Sequence, residues 1–147
     1  RSTLFPYTTL FRSALAWLNQ LLIAYNLQDG RYYKRVEEIR KHTEANRDLL
    51  CSRLELLEDI GVKFNVPDGG VYVWVSLPYG MSGMEVARAV SREGVSIVPG
   101  ELFYPLKNGG KEKIRLSFSY ESAAWLAEGA DRLIRVIRKL YKEKKNK

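Results

Sequence analysis

The chain is short of metal and redox side chains. Its 147 residues include one cysteine, Cys51, and one histidine, His42. A lone cysteine forms no internal disulfide and no cysteine zinc site, and a lone histidine leaves no partner for a histidine metal cluster. Zinc hydrolases and Cys₄ ribbons are thereby excluded, and no metal is expected. No run of 18 apolar residues is present, so no membrane-spanning helix is expected. A reduced, cytoplasmic compartment is the default for such cysteine usage. Hydrophobic residues make up 46% and charged residues 28%, which excludes a disordered or low-complexity chain.

The net charge of +7 hints at nucleic acid, so its location matters. Arg1 and Arg12 contribute +2 and Lys142–Lys147 contributes +3, which leaves +2 for residues 14–141. The body is nearly balanced, and the basic end reads as a solvated tail. No nucleic-acid partner is expected.

Arg1–Ser13 (R-S-T-L-F-P-Y-T-T-L-F-R-S) has no helical or strand period, no cap and no signal-peptide core. It resembles a translated sequencing-adapter oligonucleotide. The expectation is that residues 1–13 are not native and that the natural protein extends upstream of Ala14.

Beyond it, Leu15, Leu18, Leu21, Leu22 and Tyr25 form a helical stripe over Ala14–Leu27, stopped at Asp29-Gly30. Tyr32 to about Ile60 predicts one long helix capped at Gly61. Val62–Val66 predicts a short strand and Pro67-Asp68-Gly69-Gly70 a turn, both glycines taking positive φ. Val71–Leu77 predicts a strand apolar on both faces and so covered on both sides. Tyr72 and Trp74 are expected in core or domain-interface packing rather than on a cofactor. A helix from Ser82 or Gly83 to Arg92 follows, then a strand Val95–Val98 ended by Pro99-Gly100. Phe103–Gly110 reads as a loop, Lys113–Ser119 as a cleanly alternating strand, and Ser122–Tyr141 as the last helix. The fold class is α/β, of the α+β kind: a small mixed sheet flanked by helices.

Several segments together resemble one family. Pro67–Pro78 (P-D-G-G-V-Y-V-W-V-S-L-P), Gly94–Phe103 (G-V-S-I-V-P-G-E-L-F) and Ile114–Ser119 (I-R-L-S-F-S) occur in order. Gly30–Tyr33 with Arg40 and Arg47-Asp48 precede them, and Glu128-Gly129 with Leu133 follow. This series is similar to the C-terminal part of class I/II, fold-type I, pyridoxal-phosphate-dependent aminotransferases, of the 2-aminoadipate or MocR-like flavour. The resemblance implies linking helices over 14–60 and a small C-terminal domain over 61–147 with a basic tail at 142–147. It implies a homodimeric parent that moves an amino group between an amino acid and a 2-oxo acid.

The resemblance places Arg115 on the substrate α-carboxylate, a role suited to the planar guanidinium fork. Gly69, Gly70, Pro99 and Gly100 become site-adjacent turns. The Schiff-base lysine, and the groups that hold the cofactor, precede the connecting helix in that family. Lys63, Lys107, Lys111 and Lys113 lack the surroundings of such a lysine. No catalytic or cofactor-binding residue is therefore expected in this chain, and the chain alone is expected to be inactive. The alternative is the aminotransferase-like effector domain of a GntR/MocR-type regulator. His42 and Cys51 are expected to be structural, and Tyr104 is a candidate channel-lining residue that the sequence leaves open.

Overall fold

The computed structural model describes residues 7–28, 30–106 and 109–146. The chain divides into two compact units, Arg1–Lys41 and His42–Lys147, and the division falls inside a helix.

The first unit holds α1 (Tyr7–Gln28) and the start of α2 (Arg31–Glu55). Gly30 separates them at φ +76°, a left-handed value that glycine takes without strain. Tyr7–Ser13, which shows no helical period, is nevertheless helical. Once Ala14–Gln28 has nucleated, each further turn adds bonds at little cost. Residues 1–6 of the adapter-like segment lie outside the described residues. Trp17, Leu18, Leu21, Leu22, Ile23 and Tyr25 of α1 are all exposed. The Arg31 guanidinium lies 5.3 Å from the Tyr25 ring centroid.

The second unit is a four-stranded sheet with helices on one face. Its strands are β1 (Lys63–Phe64), β2 (Tyr72–Ser76), β3 (Val98–Pro99) and β4 (Lys113–Ser117), in the order β1-β2-β4-β3. All three pairings are antiparallel. The mixed sheet expected from the sequence is therefore antiparallel throughout. β2 and β3 do run the same way, joined through α3 (Gly83–Ser91), but β4 lies between them.

The inner face carries Val73, Val75, Ile114 and Leu116, each 5% exposed or less. Leu50, Cys51, Leu54 and Leu57 from α2 and its extension, Val86 and Val90 from α3, and Leu133 and Ile137 from α4 (Ala123–Lys145) close the core over it. Val71 to Leu77 was expected to be covered on both faces. Instead Tyr72 and Trp74 are each 43% exposed, because the helices pack on one side only.

Three boundaries differ from the sequence pattern, each for a local reason. α2 ends at Glu55, not Ile60, where Leu56 and Leu57 bond back to Arg53 and Leu54 in three-residue steps. That tightening aligns residues three apart, so Leu54 and Leu57 both face the core at 0% exposure. Gly61 then closes a 3₁₀ turn at φ +89°. The strand expected at Val95–Val98 begins only at Val98, because the Val95 N–H bonds Val90 O to cap α3 beyond Gly94. The tail expected to be solvated from Lys142 stays helical to Lys145. Lys142–Asn146 are nevertheless exposed, with Lys144 tied down: its Nζ donates to Gly80 O at 2.7 Å and pairs with Glu85 at 2.8 Å. No described helix is long and apolar enough to cross a membrane.

Candidate functional site

The sheet's open face carries Arg115 and its aromatic neighbours. Residues directly opposite on neighbouring strands share a face. The register pairs Tyr72 with Ser117, Trp74 with Arg115, and Ser76 with Lys113 across β2 and β4. Val98 of β3 stands opposite Arg115 on the other side. Arg115 therefore sits on an inner strand of the sheet, on the face away from the core.

Its guanidinium lies between two aromatic rings, 3.9 Å from the Tyr72 centroid and 4.4 Å from that of Phe103. Phe103 is held edge-on to Trp74, centroids 5.1 Å apart at 76°. Cation–π contacts of this kind contribute about 0.5–2 kcal/mol, more as the cation is desolvated. The rings fix the plane of the guanidinium, and Arg115 Nε is buried with no hydrogen-bond partner. A buried charged donor left unpaired costs about 1–3 kcal/mol or more. A carboxylate, planar with two acceptor oxygens, is the anion whose geometry matches a guanidinium fork.

The predicted turns fall around this face in different roles. Gly70 takes φ +83°, whereas Gly69 is not in the left-handed region, so only one glycine of the pair meets the backbone demand. The same turn is fastened from α2: Arg47 Nη1 donates to Pro67 O at 3.4 Å. Asp48, hydrogen-bonded to Arg47, pushes the arginine's already high pKa further up. Pro99 is buried and still belongs to β3, opposite Ile114. Gly100 begins the 3₁₀ turn that carries Phe103. A Cβ on Gly100 would lie 2.6 Å from Lys113 Cβ and 2.7 Å from Gly110 O, so its bareness lets the turn close against β4.

Beside Arg115 opens a groove of about 590 Å³ lined by Lys63, Trp74, Ser76, Phe103, Tyr104 and Lys113 among others. Tyr104, left open by the sequence, lies here. A separate groove of about 480 Å³ on the core side is lined mainly by apolar residues such as Val95, Ile97, Trp125 and Leu133. Among the described residues no group of His, Cys, Asp and Glu is placed to hold a metal.

Sequence reasoning missed Asn46. It is 1% exposed, and its Nδ2 donates to Phe118 O at 3.0 Å and Glu121 O at 2.9 Å, where β4 passes into α4. His42, exposed on α2, lies 3.3 Å from the same nitrogen. The signal was a single polar residue four positions before Leu50 on the apolar stripe. Cys51 is buried, and desolvation pushes its thiol pKa up, which makes it a core residue rather than a nucleophile.

The second unit thus presents one arginine, Arg115, against two aromatic rings on the open face of an antiparallel sheet. A sequence profile for "Aminotransferase class I and II" matches residues 6–133, and the chain belongs to that family. It is 32% identical over 123 residues to an aromatic-amino-acid aminotransferase of Thermococcus litoralis, covering 83% of this chain and 29% of that protein. It is 29% identical over 124 residues to an uncharacterised HTH-type transcriptional regulator of Bacillus subtilis, covering 84% and 25%. Among solved structures it resembles the α-aminoadipate aminotransferase of Thermus thermophilus complexed with N-(5'-phosphopyridoxyl)-L-leucine. That match has a TM-score of 0.74 and 32% identity, over 84% of this chain and 31% of that one. The chain thus spans less than a third of the length of these relatives.

Proposed function

We propose that this chain is the C-terminal lobe of a pyridoxal-phosphate-dependent aminotransferase that moves an amino group between an amino acid and a 2-oxo acid. In it Arg115 grips the substrate α-carboxylate. The observation that carries the assignment is the Arg115 guanidinium held between Tyr72 and Phe103 with a buried, unpartnered Nε. Tyr72 and Phe103 orient the fork, and Trp74 braces Phe103. Gly69, Gly70, Pro99 and Gly100 shape the turns that bound this face.

Pyridoxal phosphate supplies the electron sink for the amino transfer when it is bound. The described residues do not suit it. Lys63 and Lys113, the lysines on this face, are exposed, whereas a Schiff-base lysine has to lose its proton near neutral pH, which burial favours. We assign the cofactor and its lysine to sequence outside this chain, in keeping with the share of the relatives' length that it spans. Alone, the chain is assigned neither cofactor binding nor transamination. The parent is assigned as a cytoplasmic homodimer, with residues 14–60 linking its large and small domains and residues 61–147 forming the small domain.

The test is Arg115→Ala in the complete parent. Loss of one partner of a buried charge pair lowers kcat/KM for amino-acid substrates by about 2–5 kcal/mol of transition-state binding. Arg115→Lys, which keeps the charge without the fork, recovers only part of it. An unchanged kcat/KM in Arg115→Ala refutes the assignment. The similarity to a transcription regulator supports a second reading, in which the same lobe belongs to a ligand-sensing domain behind a winged helix-turn-helix. Sequencing the gene upstream of Ala14 separates the two.

A further inference from the structure

Two neighbouring residues of α2 reach across to the two strands that meet at Arg115. Asn46 Nδ2 donates to Phe118 O at 3.0 Å, just beyond the end of β4. Arg47 Nη1 donates to Pro67 O at 3.4 Å, at the start of the turn that leads into β2. The turn and the strand end are joined to each other as well, because Phe118 N donates to Val71 O at 3.2 Å. These contacts close a circuit from α2 to the end of β4, on to the start of β2, and back to α2. The next residues inward on the two strands are Ser117 and Tyr72, which stand opposite each other. Tyr72 carries the ring 3.9 Å from the Arg115 guanidinium. The circuit thus pins the end of the ladder where one aromatic wall of the arginine stands.

The turn needs such a tether. Asp68, Gly69 and Gly70 are exposed, and two adjacent glycines give the backbone its greatest freedom. Arg47 is suited to supply it. Asp48 binds the guanidinium at Nε and at Nη2, both at 2.8 Å, and Glu44 lies 3.7 Å from Nη2. Those bonds fix the plane of the fork and leave Nη1 for Pro67 O. The Arg47 side chain is 21% exposed, against 74% and 71% for Arg35 and Arg40 on the same helix. We propose that Arg47 is a positioning residue for substrate binding: by holding the Pro67–Gly70 turn it sets Tyr72 against Arg115. This rests on the assignment of Arg115 to the α-carboxylate.

The test reads the Arg115 Nε–H signal in the full ¹⁵N-labelled chain, identified by its loss in Arg115→Lys. Burial slows exchange of this proton, and the Tyr72 ring shifts its resonance. Arg47→Ala should move the signal toward that of free arginine and speed its exchange about fivefold, the scale of one lost hydrogen bond. Arg47→Lys, which keeps a charged donor, should recover part of both. If Arg47→Ala does not fold, Arg47→Met, which keeps an apolar stem and drops the donor, takes its place. Arg138→Ala is the control, because Arg138 is likewise held by an aspartate, Asp59, and donates to a distant carbonyl, Leu56 O. It should lower stability without moving the Arg115 signal. In the complete parent with its cofactor, Arg47→Ala should raise KM for amino-acid substrates about three- to tenfold and leave kcat within about twofold, the scale of one weakened cation–π contact. An Arg115 signal that moves no more than in Arg138→Ala overturns the proposal. An unchanged KM, in a parent that Arg115→Ala does impair, also overturns it and leaves the carboxylate assignment standing. If Arg115→Ala itself leaves kcat/KM unchanged, the carboxylate assignment falls and the role of Arg47 in substrate binding falls with it.

Discussion

Asn46→Ala should be the most costly polar substitution in the second unit. The side chain is 1% exposed and holds two carbonyls, Phe118 O and Glu121 O, at 3.0 and 2.9 Å. Phe118 is buried, so its carbonyl cannot turn to water; Glu121 is exposed and its carbonyl partly can. One lost hydrogen bond costs about 1 kcal/mol and one stranded buried acceptor about 1–3 kcal/mol more. The sum is about 2–4 kcal/mol, read as a lower urea midpoint at unchanged slope in the full chain. Asn46→Asp sharpens the test, because a carboxylate there faces two carbonyl oxygens and its folded-state pKa is pushed above the unfolded value. The folded state then holds the extra proton, so the variant loses stability as pH rises from about 4 through the raised pKa and recovers it below. An Asn46→Ala variant within about 0.5 kcal/mol of the parent would refute the reasoning, since that is the range of surface changes.

Three other outcomes can be checked on the same preparation. Gly83→Ala should lower stability by more than about 1–3 kcal/mol, because its Cβ would fall 2.3 Å from the Lys113 carbonyl oxygen and one backbone must move. Gly70→Ala should cost about 1–2 kcal/mol for its φ of +83°, while Gly69→Ala should be near neutral; equal costs in urea unfolding would contradict the assigned turn. Cys51 should resist a disulfide reagent at pH 8 in the native chain and react fully in urea, because burial holds its thiol pKa up; rapid native labelling would place it outside the core.

The regular parts of the fold were legible where side-chain period was strong. Lys113–Ser117 alternates buried and exposed as its sequence does, and Ser82 caps α3, its hydroxyl accepting from Glu85 N. What the pattern could not show was competition for backbone groups. The Val95 amide satisfies α3 before it can join β3, and the Leu56 and Leu57 amides shorten α2 by bonding three residues back. The sheet's handling of its second face was equally hidden. Tyr72 and Trp74 are apolar enough to look covered, yet they are the exposed walls beside Arg115. Arg115 was visible as an alternating strand arginine; the aromatic clamp was not, because Phe103 comes from a turn twelve positions before it, outside any strand period. Asn46 bridges 72 and 75 residues, a separation no local pattern encodes.

The strand order has a consequence for how the molecule is made. β4 is the last strand to emerge during synthesis, yet it occupies an inner position, and β2 and β3 meet only through it. Until Ser117 has left the ribosome, β2 has just the two-residue β1 beside it and β3 has no neighbour. Tyr72, Val73 and Trp74 of β2 have their strand partners only on β4. The sheet therefore cannot be complete before β4 is made, and the strand that completes it is the one that delivers Arg115.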